Sequence, residues 1–322
     1  MHPRDDSQRV ILMSFSFSDF SSALEAGARI SPDDVLAIRR SVWPDGVVAR
    51  AEAETIFELN RLARGAGPEW GDFFIEAITD AVVNAKEPRG YVDEETAAWL
   101  IGQLDQDGRG IGAVELELVV KIVEKALNAP AALKAWALAR IERCVLSGEG
   151  ATRRDGDLRP GVVDEAEVKL LRRLVFASGG DGALVVSRDE AETLWRIKDA
   201  TLGAANAPGW KQLFVQAVGN HLMAYSSYRP LERTEASRLE AFMNDRRSNV
   251  LGFLARMGRP DFDGAAKIFE PEAGAEAHRA AVAAAAAVTP TENVWLQFNV
   301  ARDEKKDELE EALIRFLEEE SD

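Results

Sequence analysis

The sequence predicts an all-α protein, and three observations carry that expectation. Apolar residues recur at steps of three and four along most of the chain, Asp/Ser-x-x-Glu patterns precede several of these runs, and no stretch alternates apolar and polar residues between hairpin turns. Within this class the expected architecture is two homologous multi-helix halves of helix–turn–helix units, followed by a C-terminal helical hairpin.

Residues 1–30 read as an N-terminal tail. Met1–Leu12 is polar and unpatterned, and Met13 offers an alternative start, because aromatic patterning begins with Phe15, Phe17 and Phe20. The first helical repeat is expected over 31–146. Trp70, Phe74, Ala77, Ile78 and Ala81 form one apolar stripe in it, and Leu116, Val119, Val120, Val123 and Leu127 form another. Residues 147–161 are polar and glycine-rich, as expected of a linker. The second repeat, 162–245, carries Val168, Leu171, Leu174 and Val175, then Trp210, Phe214, Ala217 and Val218. A connector over 246–288 contains an alanine-rich segment of high helix propensity with little to bury. Over 289–322 a helical hairpin is expected, its last helix placing Leu309, Leu313, Phe316 and Leu317 on one face.

The halves are related by self-similarity, which governs a fold wherever it occurs. Glu52-Ala53-Glu54-Thr55-Ile56-Phe57-Glu58-Leu59 pairs with Glu190-Ala191-Glu192-Thr193-Leu194-Trp195-Arg196-Ile197. Pro68-Glu69-Trp70, with Phe74 and Ala77 following, pairs with Pro208-Gly209-Trp210, with Phe214 and Ala217 following. Asp80 and Asn220 then fall at equivalent positions. They could form a polar site or simply bond nearby backbone.

A short signature recurs: a glycine, an aliphatic residue, then a glutamate opening a helix. It leads to Glu52, Glu115, Glu167 and Glu190. Asp164 with Glu167 and Ser187 with Glu190 have capping-box spacing, in which the first side chain accepts from the N3 amide and the glutamate reaches back to the cap amide. Thr289-Pro290-Thr291-Glu292 and Asp307 with Glu310 repeat that spacing. The turn Asp45-Gly46-Val47-Val48-Ala49-Arg50-Ala51-Glu52 resembles the Asp-Gly-x-Ile/Val-x-x-x-Glu turn of TerB-like helical domains, of the tellurite-resistance type. Asp181-Gly182 resembles it with an insertion before Ser187. The chain as a whole resembles a bacterial protein family with degenerate EF-hand-like turns. The resemblance implies an all-α fold with pseudo-twofold repeats and raises metal binding as a function.

The residues best suited to a metal are Asp105, Asp107, Glu115 and Glu117, in and after Asp105-Gln106-Asp107-Gly108-Arg109-Gly110. This stretch looks like the first half of an EF-hand loop, with acids at positions one and three and glycine at six. Calcium, the one cofactor suggested, needs six to eight oxygens including a bidentate Glu at position twelve. Leu116 stands there, and Arg109 stands at position five. The other reading is a solvated turn capped by acids.

No HExxH, CxxC, Walker loop or GxSxG occurs, and the three histidines are scattered, with His221 alone in a patterned region. The single cysteine, Cys144, falls on a helical apolar face and reads as core, in a reducing compartment. The seven tryptophans fall mostly on apolar stripes and read as packing. A net charge of −16 opposes nucleic-acid backbones, and no apolar run is long enough for membrane insertion. The expectation is a cytoplasmic, non-enzymatic helical protein acting on a protein partner or by self-association, with calcium binding through the acidic turns as the alternative.

Overall fold

The computed structural model describes residues 17–43, 48–63, 66–106, 111–153, 159–177, 186–223, 290–300 and 307–321. Outside them lie the Asp45-Gly46-Val47 and Asp181-Gly182 turns, Asp107, Thr289, the connector 246–288 and the end of the expected second repeat. Among the described residues the chain is all-α, with twelve helices and no strand. One isolated bridge joins Tyr91 to Asn128.

The helices fall into two compact units, Met1–Ala85 and Lys86–Asp322. The first holds α1 (Phe17–Glu25), α2 (Pro32–Val42), α3 (Arg50–Leu62) and α4 (Pro68–Val83). The second holds α5 (Glu94–Asp105), α6 (Ala113–Lys125), α7 (Ala131–Ser147), α8 (Glu165–Val175), α9 (Arg188–Ala200), α10 (Gly209–Met223), α11 (Pro290–Val300) and α12 (Glu308–Ser321). The expected first repeat, 31–146, spans this division. Helix α6 packs on α7 and α8, and α7 on α8 and α9; Leu118, Val119, Leu133 and Ile141 on these two helices are buried.

In the first unit α4 packs on α2 and α3. Ile38, Val42, Ile56, Leu59, Phe73, Phe74 and Ile78 are fully buried. Phe57 meets Phe74 edge-on at 5.3 Å, and Trp70 meets Phe73 at 5.4 Å. In the second unit α10 packs on α8 and α9 with Leu171, Leu174, Leu194, Leu213 and Phe214 enclosed. Each such side chain contributes roughly 1.5–3 kcal/mol over its exposed form, which is what holds short helices that would be marginal alone. Cys144 is buried in α7, and Trp70, Trp136, Trp195, Trp210 and Trp295 are buried, as the apolar stripes require.

The capping glutamates fix where the helices start. Glu52 accepts from the Ala49 amide at 2.7 Å, Glu167 from Asp164 at 2.9 Å, Glu190 from Ser187 at 2.7 Å and Glu310 from Asp307 at 3.2 Å. Ser31 and Asp34 form a further box at α2, with Pro32 in the first turn. Asp93 caps α5 by accepting from the Thr96 amide at 2.8 Å.

Within the expected linker, 147–161, Ser147, Glu149, Gly150, Arg159 and Pro160 are exposed, while Gly148 and Thr152 are buried. Gly148 adopts φ 71° at the end of α7, a left-handed conformation that glycine takes without strain. The Gly161 amide donates to Val145 O at 2.8 Å. Thr152 and Arg153 turn inward to the Glu167 carboxylate at 2.7 and 2.8 Å. The Arg153–Glu167 pair is thus a buried polar contact next to exposed, polar residues. At the C-terminal end α12 packs mainly on α10, and α11 meets α9 and α10 through Trp295, which lies 5.5 Å from Trp195 and 5.3 Å from His221.

Candidate functional site

The expected metal set flanks the start of α6, and a cleft lies between the ends of α6 and α8. Asp105 ends α5, and its carboxylate accepts from Trp136 Nε1 at 3.0 Å and from Arg140 Nη2 at 2.8 Å, both on α7. The Arg140 guanidinium lies over the Trp136 ring, 4.6 Å from its centroid. Asp105 therefore ties α5 to α7. Glu115 sits three residues after the Gly112 cap and folds back over it, so that a Cβ added at Gly112 would meet Glu115 Oε2 at 2.6 Å.

Glu117 points the other way, to α8. Its two oxygens accept from Arg173 Nη1 and Nη2 at 2.8 and 2.7 Å, and Glu124, two turns later on the same face, accepts from Arg173 Nε and Nη2 at 2.8 Å each. Two bidentate carboxylates on one guanidinium are strong, oriented bonds. They hold the Arg173 pKa above the usual arginine range and the Glu124 pKa below the usual glutamate range, in each case chiefly through these hydrogen bonds. Glu117 and Asp105 thus serve two different arginines on two different helices. Asp107, the remaining member of the expected metal set, lies outside the described residues. Among the described residues no three His, Cys, Asp or Glu side chains converge as metal ligands.

Beyond Arg173 the cleft opens to about 470 Å³, lined by Lys121, Lys125, Arg172 and Phe176 along with Glu124 and Ala177. Arg172 reaches Gln216 Oε1 at 3.0 Å, Lys121 stands 3.8 Å from Glu124, and Lys125 is exposed. Local physics places these cations: α6 ends at Lys125 and α8 just after Arg172 and Arg173, where the carbonyl ends of helices favour positive charge. The result is a patch of positive side chains around an aromatic edge on a chain of net charge −16.

The remaining polar candidates are committed to the fold. Asp80 accepts from Trp43 Nε1 at 3.1 Å and from the Val48 amide at 3.3 Å, and Asn220 accepts from the Val186 amide at 2.9 Å. Each satisfies the amide of a buried valine just before a helix cap, which is the backbone-bonding alternative for this pair. His221 Nδ1 donates to Val186 O at 3.0 Å, and the ring meets the Trp295 edge.

Sequence reasoning missed the buried ion pairs. Lys134 Nζ lies 3.0 Å from Glu190 Oε1, Arg153 holds Glu167, and Lys198 meets Asp199, Asp307 and Glu310 at 2.9, 2.5 and 2.6 Å. A signal was available for Lys198, which follows Leu194, Trp195 and Ile197 on the apolar side of α9. Among the described residues no helix is long and apolar enough to cross a membrane. Comparison with protein-family models, with curated proteins and with solved structures finds no match to this chain.

Proposed function

We propose that this chain is a non-enzymatic, cytoplasmic protein-interaction module whose cleft between α6 and α8 takes an acidic segment of a protein partner. The observation that carries this reading is the gathering of Lys121, Lys125 and Arg172 around Phe176 on an otherwise acidic chain. Such a patch attracts carboxylates, and the Phe176 edge adds apolar contact for a neighbouring side chain. A nucleic-acid backbone is a poorer fit, because a chain of net charge −16 repels a long run of phosphates more strongly than a few carboxylates at the cleft. The reading is also preferred over calcium at Asp105, Asp107, Glu115 and Glu117. Asp105 and Glu117 already hold Arg140 and Arg173, and an ion would have to break both pairs.

The test compares affinity capture by the unaltered chain with capture by Lys125→Glu, Arg172→Glu at low and moderate salt. Proteins held by the first, absent with the second and released by salt are expected. Identical captures by both would overturn the assignment to this cleft.

A further inference from the structure

The cations of the cleft between α6 and α8 are not equally free. Glu117 and Glu124 clamp the Arg173 guanidinium through hydrogen bonds of 2.7 and 2.8 Å, and Lys121 stands 3.8 Å from Glu124. Two carboxylates are thereby set against two cations, and this part of the cleft is neutral. Arg172 and Lys125 remain. The Arg172 guanidinium bonds the neutral amide of Gln216 at 3.0 Å, and among the described residues neither cation lies within ion-pair distance of a carboxylate. Lys125 is exposed, and Arg172 and Phe176, half-buried, line the same cleft. The backbone offers an anion nothing here. The amides of Ala126, Phe176 and Ala177 donate to Ile122, Arg172 and Leu174 carbonyls, and the carbonyl ends of α6 and α8 oppose negative charge. A guest anion therefore depends on side chains, and first on the two that are uncompensated.

Two uncompensated cations beside one aromatic edge match a dianion with an apolar neighbour. A side-chain carboxylate brings a single charge. A phosphomonoester brings about −1.5 to −2 at neutral pH together with three acceptor oxygens, and the planar fork of an arginine fits two of them side by side. A pair of adjacent carboxylates is a poorer match, because neighbouring residues of an extended segment point to opposite sides. An isolated phosphate ion is a poorer match as well. The cleft is open and measures about 470 Å³, so a lone ion would keep most of its water and leave Phe176 untouched. A segment of chain fills that space and lays a side chain against the ring. We propose that the acidic group this cleft takes is a phosphomonoester on a side chain of the partner's segment, so that phosphorylation of the partner switches binding on. The inference rests on the reading of this cleft as a site for an acidic segment, and adds the group that is read. Arg172 holds the phosphate by its fork, Lys125 neutralises the second charge, and Phe176 takes the neighbouring apolar side chain.

The test uses the full chain and three pools of short fluorescent peptides. The pools share the same mixed flanking residues and differ only at the centre, which is phosphoserine, glutamate or serine. By fluorescence anisotropy the phosphoserine pool is expected to bind about tenfold tighter than the glutamate pool, or more, and the serine pool to show no binding. Lys125→Ala and Arg172→Gln are each expected to remove most of that advantage. Lys125 is exposed and its replacement keeps the bond from Arg172 to Gln216, so Lys125→Ala decides the matter if Arg172→Gln loosens α8 on α10. Equal binding of the phosphoserine and glutamate pools would overturn this inference and leave the acidic-segment reading standing. An advantage that survives Lys125→Ala would overturn it. So would inorganic phosphate that displaces the phosphoserine pool as effectively as unlabelled peptide does, the mark of a free-ion site. Silence from all three pools would overturn it too, and salt-sensitive capture from lysate would then show whether the broader reading survives.

Discussion

Lys198 shows how one buried charge decides several properties. Taking an ammonium out of water costs several kcal/mol, and only close carboxylates offset this. Burial alone would lower its pKa, but the bonds to Asp307, Glu310 and Asp199 outweigh that and raise it. Asp307 is likewise opposed by burial and brought below the usual aspartate range by Lys198. The signs then follow. The raised lysine contributes stability that is complete below its unfolded value and lost as pH climbs through its folded value; the lowered aspartate contributes above its unfolded value and is lost as pH falls through its folded one. This cluster should therefore support the fold evenly between about pH 4 and pH 10. Glu167 has the opposite sign to Asp307: burial raises it, so its contribution weakens as pH rises past the ordinary glutamate range. Replacing Lys198 by Met leaves three acids without their cation, and a loss of about 3–5 kcal/mol is expected in urea unfolding at neutral pH, shrinking near pH 4. The cost follows from removing one partner of a buried set, and would not be seen at an exposed pair such as Arg188–Glu192. Asp105 gives a second expectation at this scale. With its carboxylate committed to Arg140 and Trp136, calcium should leave the unfolding midpoint unchanged by calorimetry. A rise that disappears in Asp105→Asn would instead assign the ion to this turn.

At the scale of single elements, helix starts were legible and helix partners were not. The glutamates in the first turns of α8, α9 and α12 announce themselves by spacing, since a capping box is a local device needing only the residues it names. The box at Asp164 and Glu167 could be read without knowing that Arg153 and Thr152 also converge on it, and those partners come from a stretch that polarity marks as a linker. Cleft and clamp were hidden for the same reason: Arg173 meets Glu117 and Glu124 across two helices, and no local rule pairs residues so far apart in the chain. Asp80 and Asn220 lie between these extremes, since the expected repeat singled them out but did not give their targets. Each satisfies the amide of a buried valine at a helix entry, so Asp80→Ala and Asn220→Ala should each cost about 1–3 kcal/mol in denaturant unfolding. Gly219 tests packing of one element on another. Alanine there adds roughly 1 kcal/mol of helix propensity to α10, but the added methyl meets the Phe316 ring, and overpacking costs about 1–3 kcal/mol. The net change should be a small loss, with the loss localised. Amide exchange in α12 should quicken while that of α9 stays as it was.

For the molecule as a whole, the all-α class was legible because period and breakers agree along the chain, and that agreement needs no knowledge of tertiary partners. The grouping of helices was less so. The expected repeat sets α3 and α4 beside α9 and α10; in the structure Arg39 on α2 pairs with Glu76 on α4, and Arg172 on α8 pairs with Gln216 on α10. Compactness divides the chain elsewhere, after Ala85, because α6 and α7 spend their apolar faces on α8 and α9. Similarity reports which segments are alike, whereas packing follows the faces left to bury. Two units with separate cores should respond separately to core damage. Phe73, fully buried in the first unit against Trp43 and Trp70, and Phe214, fully buried in the second against Trp195 and Trp210, offer matched probes. Truncation of a buried phenylalanine to alanine costs about 3–5 kcal/mol, enough to open the unit that contains it long before the other. In amide exchange, Phe73→Ala should release protection in α2–α4 and leave α7–α10 protected, and Phe214→Ala should do the reverse. Loss of protection throughout the chain from either substitution would mean that the two cores fold as one cooperative body, and the division after Ala85 would then describe contact density without describing stability.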